Sequence, residues 1–97
     1  MPIRENPAPD GHAETVALQA LVWIAADEER LGRFMGLAGL TADELRARAG
    51  EAEFLGGVLD FVLGDEEATL AFAAEAGLKP DALMRLRRKL PGAPVWE

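Results

Sequence analysis

The segment from Leu21 to Arg48 matches the segment from Leu59 to Leu86 at a constant offset of 38 residues, without a gap. Ten positions are identical: Leu21/Leu59, Asp27/Asp65, Glu28/Glu66, Glu29/Glu67, Phe34/Phe72, Ala38/Ala76, Gly39/Gly77, Leu40/Leu78, Asp43/Asp81 and Leu45/Leu83. An open array of stacked repeats needs three or more units, so two copies in register predict one closed domain instead. The fold class expected is all-α: a compact six-helix bundle built from two three-helix repeats related by a pseudo-twofold axis.

A chain of 97 residues without cysteine has to be held by one apolar core, which at this size hides roughly two-thirds of the unfolded surface. Absent thiols exclude disulfides and thiolate metal sites, and suit a reducing compartment; the expected location is cytoplasmic. Residues 1–12 hold three prolines and charges of both signs and read as a flexible tail, followed by a helical domain over 13–90 and a second tail over 91–97 that carries Trp96. The longest apolar run, Val16 to Ala26, falls well short of the roughly twenty residues a membrane helix needs, so no membrane partner is expected.

Helix punctuation recurs in both copies. Asp27 and Asp65 stand where an N-cap is needed, each followed by two glutamates on the positive end of a helix dipole. Gly39-Leu40 and Gly77-Leu78 have the form of a left-handed C-cap with a following apolar residue. Thr41-Ala-Asp-Glu44 has capping-box spacing, and Pro80 takes the corresponding start in the second copy. The predicted helices run from Ala13 to Ala26, from Asp27 to Ala38, from Thr41 to Gly50, from Ala52 to Leu63, from Asp65 to Ala76 and from Pro80 to Leu90. The first, apolar on nearly every face, is expected at the centre. Gly56-Gly57 inside the fourth costs about 2 kcal/mol of helix propensity, which a close crossing of the first helix, with Leu18 and Trp23 over the glycines, would offset.

The inventory for catalysis is thin. Ser, Cys and Tyr are missing and His12, the single histidine, falls in the tail, so no triad, thiol or histidine base can be assembled and no enzymatic activity is expected. No catalytic residue, cofactor or metal ligand is assigned; the acidic triplets are better explained as caps than as a cation site. The one polarised feature is Arg85, Arg87, Arg88 and Lys89, a dense basic cluster in a chain of net charge −7. Arg85 and Arg88 are expected to point outward and Arg87 and Lys89 to flank them, opposite Leu83, Leu86 and Leu90. Phe72-Ala73-x-x-Ala76-Gly77-Leu78-x4-Leu83 also has the spacing of a DNA-binding helix-turn-helix, but the second helix would bring Asp81, or in the first copy Asp43 and Glu44, toward phosphates.

The run Ala17-Leu-Gln-Ala-Leu-Val-Trp-Ile-Ala-Ala-Asp-Glu-Glu-Arg-Leu-Gly-Arg-Phe resembles a family of small bacterial proteins, domain of unknown function number 3572. Gly39-Leu40, Phe54-Leu55, Val58-Leu-Asp-Phe61 and Phe72-Ala73 with Ala76-Gly77-Leu78 extend the resemblance to about Leu90. It implies a bacterial, alphaproteobacterial chain with no assigned activity and therefore no functional residues to transfer. Alanines are expected in that family where this chain has Gly56-Gly57.

Together these readings predict a small protein whose partner is another, unidentified protein, bound through Arg85, Arg87, Arg88 and Lys89. The alternative is a helix-turn-helix-derived nucleic-acid binder using the same cluster. Self-association into a homodimer is a third expectation, since duplicated helical units can pair between chains.

Overall fold

A computed structural model describes residues 9–92, with side chains from His12 onward. Six helices follow in order: α1 (Pro9–Ala25), α2 (Glu28–Ala38), α3 (Ala42–Arg48), α4 (Ala52–Leu63), α5 (Glu66–Ala76) and α6 (Pro80–Arg87). The described residues form an all-α bundle, and no helix among them is long and apolar enough to cross a membrane.

The punctuation read from the sequence is realised. Asp27 and Asp65 hold nearly the same extended backbone (φ, ψ of −126°, 119° and −130°, 117°). One carboxylate oxygen of each accepts two amides of the first turn, from Glu29 and Arg30 and from Glu67 and Ala68. Gly39 and Gly77 take left-handed φ of 68° and 72°, and the amides of Leu40 and Leu78 close back on the carbonyls of Met35 and Ala73. That geometry strains any residue with a Cβ. The Thr41–Glu44 capping box is complete in both directions.

The core is a stripe from α1 (Ala13, Val16, Ala17, Ala20, Leu21, Ile24) laid against Leu55, Val58, Leu59 and Val62 of α4. Phe72 and Ala73 of α5, Leu83 and Leu86 of α6, and Leu90 close it. Ala13, Ala17 and Ala20 on that stripe let the two helices approach. Phe34 of α2 meets Phe54 and Phe61 of α4 edge-on, with ring centroids 6.0 and 5.2 Å away.

Four expectations are corrected. The first helix starts at Pro9, inside the expected tail, because proline is at home in a first turn where its missing N–H has no partner. That helix packs on α2, α4, α5 and α6, yet its outer face is open: Leu18 and Val22 are 42% and 69% exposed. Leu18 and Trp23 therefore do not cover the glycines; Trp23 packs on Phe72 at 5.7 Å and beneath the guanidinium of Arg30 at 3.7 Å. Arg30 also donates to the Trp23 carbonyl at 2.8 Å, locking the α1–α2 corner. Finally, α6 ends at Arg87, and residues 88–90 wind on in a tighter turn.

α3 and α6 differ. α6 packs on α1, α4 and α5, whereas α3 has no buried residue and touches the core only through half-buried Leu45 and Ala49.

Candidate functional site

The basic cluster is divided by the fold. Arg87 is 2% exposed, on the same side of α6 as Leu83, Leu86 and Leu90, so it is not available to a partner. Its guanidinium grips Asp60 of α4 with two bonds, Nε to Oδ1 at 2.7 Å and Nη2 to Oδ2 at 3.1 Å. Nη1 donates to the carbonyls of Leu90 at 3.2 Å and Pro91 at 3.1 Å. A buried guanidinium is tolerable only with such a set of acceptors.

Gly56 makes room for it. A Cβ there would lie 3.0 Å from Arg87 Cζ, from Nη1 and from the Pro91 carbonyl oxygen. This is the compensation for one mid-helix glycine, and it involves α6 rather than α1. Gly57 is different, since a Cβ at that position would meet nothing.

Arg85, Arg88 and Lys89 remain on the surface, and the fold adds His12 to them. Together they rim a groove of about 550 Å³ between the start of α1 and α6, floored by Leu78, Ala82 and Leu86. Arg85 is 3.4 Å from Asp81, one turn earlier, an exposed pair with little hold on its geometry. His12 was missed because it was read as tail; the signal was Pro9-Asp10, a first-turn pairing of proline and acid. Asp60 was missed as well, although an acid inside Val58-Leu-Asp-Phe-Val62 has to find a partner if its helix is buried.

Cations over an apolar floor can hold an acidic amphipathic chain: carboxylates on the rim, aliphatic side chains below. The duplicated acidic triplets serve the helix starts. Asp27 shows it electrostatically, for the amide of Arg30 above all, then the Arg30 charge and the Glu29 amide, outweigh desolvation and hold its carboxyl below the usual range. Trp96 of the second expected tail lies outside the described residues.

No similarity to a curated protein or to a solved structure was found. The family model described as "Protein of unknown function (DUF3572)" matches residues 10–93, nearly the whole of the described bundle, and the chain therefore belongs to that family.

Proposed function

We propose that the protein is a non-catalytic interaction module that binds an acidic, amphipathic segment of another protein in the groove between α1 and α6. The observation that carries this reading is the groove rimmed by His12, Arg85, Arg88 and Lys89, on a chain of net charge −7. Charge opposite to that of the body selects the partner, and the Leu78–Ala82–Leu86 floor supplies apolar contact. A nucleic-acid backbone would use the cations but not the floor. The two halves are read as copies of one three-helix unit, with the binding role confined to the second, because α6 and not α3 borders a basic groove.

A photo-crosslinking residue placed at Ala82, compared with one at Ala47 on α3, tests the site in cells. The expected result is a protein adduct from position 82 alone that survives nuclease and is lost with Arg85→Glu and Arg88→Glu. An adduct insensitive to those reversals, or one containing nucleic acid, would overturn it.

A further inference from the structure

An apolar groove of about 410 Å³ lies between α2 and α4, lined by Phe34, Leu37 and Ala38 of α2 and by Phe54, Gly57 and Phe61 of α4, with Asp60 at its edge. Leu37 is 78% exposed beside it. The volume lies near the lower end of the range for small-molecule pockets. Gly57 opens the floor: no packing among the described residues requires a glycine there, and mid-helix glycine costs about 1 kcal/mol.

The last described residues lie near this groove, because Arg87, which holds the Leu90 and Pro91 carbonyls, is bonded to Asp60 at the groove's edge. Arg87 ties the Leu90 and Pro91 carbonyls down beside Gly56, whose neighbour Gly57 forms the groove floor. Gly92 turns there with φ of 88°. Four further residues reach Trp96, a span of up to about 13 Å. Pro94 biases the residue before it to extended backbone, which lowers the entropy lost on docking.

We propose that the Val95-Trp96 segment of the same chain docks in this groove, with the Trp96 indole among Phe34, Phe54 and Phe61 and against Gly57. An indole buries about 150–250 Å² and needs an acceptor for its N–H. A carboxylate oxygen accepts more than one hydrogen bond, so Asp60 can serve both Arg87 and an indole.

Nuclear Overhauser contacts in the unmodified 97-residue chain test the assignment. Contacts from the Trp96 ring to Phe54 or Phe61 are expected, unchanged on tenfold dilution and lost in Gly57→Leu, which fills the floor. Their absence in the unmodified chain would overturn the proposal. So would contacts that fade on dilution, which would assign the groove to the Trp96 of a second copy. Should Gly57→Leu not fold, the measurement on the unmodified chain decides alone.

Discussion

Arg87 and Asp60, 27 residues apart, face each other edge to edge, with Nε 2.7 Å from Oδ1 and Nη2 3.1 Å from Oδ2. The pair fastens α6 to α4 and takes Arg87 out of the basic cluster, leaving Arg85, Arg88 and Lys89 exposed.

Removing Asp60 leaves the buried Arg87 guanidinium with the Leu90 and Pro91 carbonyls but without its carboxylate. Asp60→Ala is expected to cost about 3–5 kcal/mol. For a domain of this size, that lowers the melting temperature by more than ten degrees, roughly. The double change Asp60→Leu with Arg87→Met should be milder than Asp60→Ala, since no charge is stranded. Thermal unfolding followed by circular dichroism measures both.

Gly56→Ala gains helix propensity, yet its methyl group enters the space of the guanidinium and the Pro91 carbonyl. Net destabilisation of about 1–3 kcal/mol is expected, as for overpacking of a filled site. On an Arg87→Met background the penalty should shrink, and a double-mutant cycle in urea reads the difference.

The Asp27 cap sets part of the acid sensitivity. Its carboxyl is held below the usual range in the folded chain by the Arg30 amide first and the Arg30 charge after it. A depressed folded value stabilises the fold above the unfolded value, near pH 4 for aspartate, and that contribution is lost as pH falls through the folded value. Asn keeps the acceptor without titrating. Asp27→Asn should therefore show a flatter melting-temperature profile between about pH 5 and pH 2 than the parent, and an unchanged slope would remove this assignment.

α3 should open first. With no buried residue it has little beyond its capping box to hold it, so its amides are expected to exchange with solvent faster than those of α1 and α4 by orders of magnitude. Thr41→Ala should speed exchange within Ala42–Arg48 and barely move the global transition. Hydrogen-exchange mass spectrometry separates the two effects.

Helix number and the starts marked by Asp27, Thr41, Asp65 and Pro80 were legible because such signals act within the first turn, whereas the start of α1 at Pro9 was not. What the sequence hid depends on three dimensions. Arg85, Arg87 and Arg88 look alike in a basic run, and only the rotation of α6 against α4 sends Arg87 inward. Gly56 and Gly57 read as one feature, yet the first faces a guanidinium and the second an open groove. The Leu18 and Trp23 error has the same origin, since an apolar helix does not announce which of its faces will be covered.

The seat built from Gly56, Asp60 and Arg87 also bears on descent. An alanine in place of the glycine crowds the arginine, and loss of the arginine takes two hydrogen bonds from the aspartate, so single steps away from this arrangement pass through a less stable protein. Among relatives, the three positions should change together, and a lineage carrying alanine at the first should have surrendered the buried ion pair as well.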